Sequence, residues 1–265
     1  MNNNLISVHP DARIGANVHI DPFTTIAGDV VIGEGTWIGS NVTIYDGARI
    51  GKNCRIFPGA VISAVPQDLK YKGEATTTII GDNCTIRECV TINKGTVAAG
   101  TTTIGNNCLL MAYVHIAHDC ILGNNVILAN SVNLAGHVLI DDWAILEGYV
   151  GVSQFIRIGA HSFIGGQTGV RKDVPPFVKA AREPLSYAGI NSVGMRRRGF
   201  EVAAIQEIQE MYRIIFQSGM IVSKSLEQIE SQIPPSSHRD QIIGFIRSSE
   251  KGIMRGFTQA GTEEE

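Results

Sequence analysis

The sequence holds 265 residues with a formal net charge of −3 at pH 7, a length for one or two domains and a balance that excludes nucleic-acid binding by bulk electrostatics. No apolar run approaches the length needed to cross a bilayer, and residues 1–5 lack the basic start and apolar core of a signal peptide. A cytoplasmic protein is therefore expected.

In chain order, the first feature is a period of six. From Val8 a large aliphatic residue recurs at Ile14, Ile20, Ile26 and onward to Ile62, and the phase returns at Ile80, Ile86 and Ile92. It then runs from Ile104 to Val170, with Asp68, Glu74 and Ala98 as its interruptions. A second column of small or β-branched residues stands two positions earlier, as at Val18, Thr24, Val30 and Cys54. Six fits neither a helical period of 3.6 nor the alternation of a long strand. It does fit a two-residue strand and a tight turn repeated three times per coil, a triangular parallel β-helix whose coils stack about 4.8 Å apart. Periodicity alone does not give the hand.

The pattern predicts a mainly β fold: a solenoid over residues 1–190 and a helical domain over 191–265. Two external loops interrupt the coils near 66–78 and 94–103; solenoids tend to carry such insertions on a binding face. The repeat fades at Lys172-Asp173-Val174-Pro175-Pro176, where two prolines deny ladder donors, and a connector follows to about Val193. Residues 201–217 read as a helix stopped by Gly219. Ser225 with Gln228 suggests a capping box for a second helix through Ile233, and 239–254 suggests a third. The tail 261–265 is expected to be disordered.

Five cysteines follow the same phase. Cys54, Cys84, Cys108 and Cys120 fall in the small inward column, so they are expected to be reduced core residues, with Cys89 out of phase. No CxxC spacing supports a zinc site.

The segment V-H-I-A-H-D-C at 114–120 packs two histidines and an aspartate into five residues. With eighteen residues per coil, His118, Gly136, Gln154 and Lys172 form one column, and Asp119 and His137 the column beside it. Neither His118 nor His137 falls in an inward column. Three readings follow from the residues alone. His118 is a general base whose tautomer Asp119 fixes; or His115, His118 and His137 bind a metal; or these groups hydrogen-bond across a subunit interface. His161 lies on a different corner and reads as an ordinary surface histidine, and His9, His19 and His238 have no constellation near them.

The hexapeptide repeats, P-Q-D-L-K-Y, H-I-A-H-D-C, L-A-G-H-V and R-R-G-F together resemble the UDP-N-acetylglucosamine O-acyltransferases of lipid A biosynthesis, over nearly the whole chain. The resemblance implies a homotrimer of left-handed parallel β-helices with helical C-terminal domains and active sites between subunits. It implies transfer of an (R)-3-hydroxyacyl group from acyl carrier protein, where phosphopantetheine carries it, to the 3-hydroxyl of UDP-N-acetylglucosamine, with no metal or other cofactor. In that scheme His118 is the base, Asp119 orients it, and the Gly136 N–H faces the thioester oxyanion. His115, His137 and Gln154 contact the sugar or the acyl phosphopantetheine, Asp68 and Lys70 reach the sugar and phosphates from the first loop, and Asn191, Arg197 and Arg198 meet the nucleotide. Asn93 and Ser153 stand where the family often has histidine, and Val193 where it can have an acidic residue. Arg157, Arg171, Lys172 and Arg182 are candidates to receive the acidic carrier protein, and Gly165, Gly166 and Gln167 lie where the family sets chain length. A later N-acyltransferase of the same pathway, disfavoured because the chain begins directly with repeats, a metal-dependent hexapeptide-repeat carbonic anhydrase and a noncatalytic scaffold are the alternatives.

Overall fold

The computed structural model describes residues 5–256, so the expectation for 261–265 lies outside the described residues. Among the described residues short strands form three sheets of nine, eight and eleven strands; within the coils each sheet takes every third strand in parallel, and the third sheet ends in an antiparallel pair and one last strand. This is the left-handed parallel β-helix that the resemblance implies. In the repeating unit the second strand residue points inward, and from Ile26 to Val170 this column is almost wholly buried. The column two residues earlier, Val30, Val42, Cys54 and onward, is buried with it. Val8 and Ile14, on the first coil, are 38% and 37% exposed because only one neighbouring coil covers them.

Register explains why the phase survives its gaps. Thr43 pairs with Val61 and His115 with Asn133, eighteen apart, whereas Val61 pairs with Thr91, thirty apart, and Thr91 with His115, twenty-four apart. The insertions are therefore twelve and six residues long, whole multiples of the repeat. Strands resume at Thr77–Ile80 and Thr101–Ile104, so both loops end sooner than the sequence suggested. Thr77 and Thr78 extend their strand because they pair with Thr101 and Thr102. Both loops leave the corner between the first and second sheets, the corner that carries His118 and His137.

Most turns place one residue in the left-handed region. Asn, which tolerates that conformation, supplies Asn17, Asn41, Asn53, Asn83, Asn107 and Asn125. Other turns put different residues in this conformation, among them Asp119, His137, Trp143, Phe155, His161 and Phe177. Their side chains project outward one coil above another, which builds stacked columns along the corners.

The expected connector is in fact a hairpin, Val178–Ala181 with Ser186–Ile190, that continues the third sheet. Helix α1 spans Ser192–Arg197, α2 Val202–Gln217, α3 Val222–Gln232 and α4 Ser237–Arg247. The α1 helix was not anticipated. Ser225 is no cap: it is buried within α3, and its hydroxyl donates to Ile214 O (3.2 Å). The cap of α4 is Ser236, which accepts from Arg239 N. A solenoid needs its open end covered, and here Tyr212 of α2, fully buried, donates to Pro176 O (2.5 Å). Asp173 ties the last coil to the segment after α4, accepting from Arg157 N (2.9 Å) and Ser249 Oγ (2.7 Å).

Candidate active site

At the corner between the first and second sheets, His118 and Asp119 occupy one turn and His137 the next. His118 Nδ1 lies 2.8 Å from Asp119 Oδ2. A carboxylate oxygen accepts, so Nδ1 carries the proton and Nε2 presents its lone pair. Asp119 is 2% exposed and both its oxygens are engaged: Oδ2 also takes the Thr96 hydroxyl (2.6 Å) and Oδ1 the Thr96 N–H (2.8 Å). Its own N–H donates to the Thr102 hydroxyl (2.8 Å). Burial pushes the Asp119 carboxyl up, but the hydrogen bonds from Thr96 and His118 outweigh it and hold the group below the usual carboxylate range. The second loop thus buttresses the aspartate that orients the histidine.

Thr96 and Thr102 were missed in the sequence. The signal was available in the register: a six-residue insertion before His115 places this loop directly beneath Asp119.

The columns meet as the eighteen-residue coil requires. A Cβ on Gly136 would lie 2.5 Å from His118 Cε1 and 2.7 Å from Nε2, so only glycine fits above the imidazole. His137 packs edge-on to His118 with ring centroids 5.1 Å apart, and Phe155 stacks on His137 at 4.6 Å. From the first loop Asp68 approaches, its Oδ2 4.0 Å from His118 Nε2, while its Oδ1 accepts from Lys70 N (2.9 Å). Lys70 and Gln154 are exposed. Asn93 is buried and donates to Val65 O (3.2 Å), with its Oδ1 unpaired among the described residues.

His115 stands apart on the first sheet. Its Nδ1 contacts the Thr91 hydroxyl (2.7 Å), and burial pushes its pKa down. It opens a groove of about 520 Å³ over Asn133, Gly151 and Gly169, where the outward side chains shrink to nothing. The trio His115, His118 and His137 of the metal-binding reading is therefore not brought together as a ligand set among the described residues. Ligand atoms of His118, Asp119 and His137 do lie within 4.8 Å of one another. A cation that took Asp119 Oδ2 would compete with the Thr96 hydroxyl and the His118 N–H already bound there.

The nucleotide-end candidates gather at the next corner. Asn191 caps α1, accepting from Gly194 N (3.1 Å) and donating to His161 O (2.8 Å), so its amide is committed to structure. Arg197 is exposed at the end of α1 and Arg198 follows it, partly buried. His161 is not the ordinary surface histidine expected: it stacks between Trp143 and Phe177 and meets Phe200 edge-on. His238 also has neighbours, Phe177 and Phe200. Among the basic residues, Arg171, Lys172 and Arg182 line a cavity of about 410 Å³ with Arg255. Arg157 is elsewhere, donating to Ser248 and lying over Phe245.

Comparison with known proteins identifies the family. A family model for domain 2 of UDP-N-acetylglucosamine O-acyltransferase matches residues 173–254, and the hexapeptide-transferase model matches 11–36, 29–64 and 101–136. The acyl-[acyl-carrier-protein]–UDP-N-acetylglucosamine O-acyltransferase of Anaeromyxobacter sp. is 38% identical over 74% of this chain and 76% of its own, and that of Burkholderia mallei 42% over 72% and 74%. A UDP-N-acetylglucosamine acyltransferase structure from Bacteroides fragilis superposes with a TM-score of 0.94 at 50% identity, covering 96% of this chain and all of that one. The Francisella novicida structure gives 0.92 at 42%, covering 96% and 93%. The chain belongs to the acyl-[acyl-carrier-protein]–UDP-N-acetylglucosamine O-acyltransferase family.

Proposed function

We propose that this protein transfers an (R)-3-hydroxyacyl group from acyl carrier protein to the 3-hydroxyl of UDP-N-acetylglucosamine, the first step of lipid A biosynthesis, with His118 as general base. The observation that carries the mechanism is the 2.8 Å contact between His118 Nδ1 and Asp119, which leaves Nε2 as the acceptor facing the cleft. As the sugar oxygen attacks the thioester carbon, Nε2 takes its proton. The tetrahedral oxyanion is met by the Gly136 N–H, which donates to no protein acceptor among the described residues. Collapse breaks the carbon–sulfur bond, and the imidazolium returns the proton to the departing phosphopantetheine sulfur. Such a base contributes about 10² to 10⁴ in rate.

Asp68 and Lys70 orient the sugar and its phosphates, His137 and Gln154 border the acceptor and the acyl phosphopantetheine, and Arg197 and Arg198 suit the diphosphate as guanidinium groups do. The groove that opens at His115 supports a path for the acyl chain, its floor flattened by Gly151 and Gly169. Arg171, Lys172, Arg182 and Arg255 receive the acidic carrier protein. The assembly is a homotrimer acting in the cytoplasm. Its support is the exposed apolar surface that a solenoid carries into an interface: Val97 and Ile121 on the side of His118, and Tyr113 and Tyr149 on the corner between the third and first sheets.

The test is acyl transfer from a panel of 3-hydroxyacyl carrier proteins to UDP-N-acetylglucosamine, with zinc assayed on the same samples. The proposal expects 3-O-acylated product from metal-free protein. The His118, Asp119 and His137 grouping gives a metal-dependent reading its one foothold, and activity that tracks stoichiometric zinc would establish that reading instead.

A further inference from the structure

His161 sits outside the cleft and has no part in the acyl transfer proposed above, yet one residue makes contacts with both ends of α1. Its carbonyl accepts from the Asn191 side chain (2.8 Å), and Asn191 caps the start of that helix. Its ring nitrogen Nδ1 lies 3.3 Å from Nη1 of Arg198, the residue that ends it. Arginine has no acceptor, so the guanidinium donates and Nδ1 must be the unprotonated nitrogen. The imidazole has little freedom to turn away. Trp143 lies parallel to it at 6.3 Å and Phe177 at 5.5 Å, while Phe200 closes a third side at 5.0 Å. Arg198 in turn lies over the Trp143 ring at 5.1 Å.

We infer that His161 is a positioning residue for acceptor binding: as a neutral acceptor clamped between two aromatic rings, it fixes the Arg198 guanidinium in the orientation that meets the nucleotide diphosphate. This inference rests on the reading of Arg198 as a nucleotide contact. Several side chains along a chain of contacts converge on one cation, while a lone surface arginine would lose rotamer freedom each time it bound a phosphate. Burial and the neighbouring Arg198 push the His161 pKa down to about 4, so the imidazole stays neutral at working pH. The charged and titratable groups that face it are Arg198, Asp142 and His238; Asp142 favours its charged form and the other two oppose it.

The experiment compares KM for UDP-N-acetylglucosamine and kcat in the full-length protein for His161→Phe, His161→Gln, Arg198→Ala and the His161→Phe/Arg198→Ala double variant. Thermal stability and oligomeric state are recorded for each. Phenylalanine keeps the stack and removes the acceptor; glutamine keeps an acceptor. His161→Phe should raise KM about tenfold with kcat within about threefold, and His161→Gln should stay within about threefold of native in both. On the Arg198→Ala background, His161→Phe should add nothing, since residues that act through one contact are not additive. If His161→Phe does not fold, His161→Leu takes its place. If Arg198→Ala leaves KM unchanged, the nucleotide reading of Arg198 fails. If Arg198→Ala raises KM while His161→Phe does not, if the two effects multiply, or if glutamine is as poor as phenylalanine, His161 does not position Arg198.

Discussion

Asp119 Oδ2 sits 2.8 Å from His118 Nδ1 and 2.6 Å from the Thr96 hydroxyl, so a single buried oxygen links the base to the loop that follows Asn93. The arrangement sets the tautomer of His118 from below, while Gly136 leaves the space above the ring open.

The first consequence concerns that oxygen. Asp119→Asn keeps the shape but offers either an amide N–H or a neutral acceptor where Thr96 and His118 both donate. We expect kcat to fall about 10²-fold or more with KM for both substrates within a few-fold, because the wrong tautomer removes the base without emptying the site. Steady-state kinetics on the folded variant checks this. Thr96→Val should give a smaller loss in the same direction.

Gly136→Ala probes the space above the ring. The new methyl would sit 2.5 Å from His118 Cε1, so the ring or the turn must shift. Overpacking of this kind costs about 1–3 kcal/mol of stability, and a displaced Nε2 should cost about 10²-fold in kcat. Thermal unfolding and kinetics on the same preparation separate the two effects.

The thiols give a prediction about the core. Cys54, Cys84, Cys108 and Cys120 are buried inside the solenoid and Cys89 is half-buried on a turn, all as free thiols. Burial pushes the Cys120 thiol up to about 12, which suppresses its reactive thiolate. Under native conditions a thiol reagent should therefore modify Cys89 first, and the other four should react only when the chain unfolds. Mass spectrometry of the labelled peptides reads the order.

The depressed histidines predict an acid side to the stability curve. His161 has its pKa lowered to about 4 and His115 is lowered by burial. A lowered pKa means that the unfolded chain binds protons first. The stability these residues contribute is thus complete above the unfolded histidine value of about 6.5 and is lost as pH falls toward the folded values. Asp119, also depressed, loses its share only at lower pH, as its carboxyl protonates. Thermal melts between pH 7.5 and 4.5 should show a decline that is shallower in His161→Gln than in the native protein.

The solenoid and its principal corner were legible because they depend on residues a fixed number of positions apart. Once the coil is eighteen residues, Gly136 must lie over His118, and insertions of whole repeats leave the inward columns in phase. The helical end was less legible because its contacts join distant segments: Arg157 to Ser248, Asp173 to Ser249 and Lys172 to Lys251. Ser225 carried a cap signature, but packing against α2 buried it inside its helix. His161 looked solvated because periodicity places it on a corner, and only the later hairpin and helices bring Phe177 and Phe200 around it.

The most direct test of the account is the rate of acyl transfer to UDP-N-acetylglucosamine by His118→Ala, assayed on metal-free protein whose oligomeric state and melting temperature match the native. Loss of at least about 10²-fold in kcat, with UDP-N-acetylglucosamine still bound, is the predicted result. A variant that retains native kcat would show that the proton goes elsewhere and that the 2.8 Å pairing with Asp119 is structural.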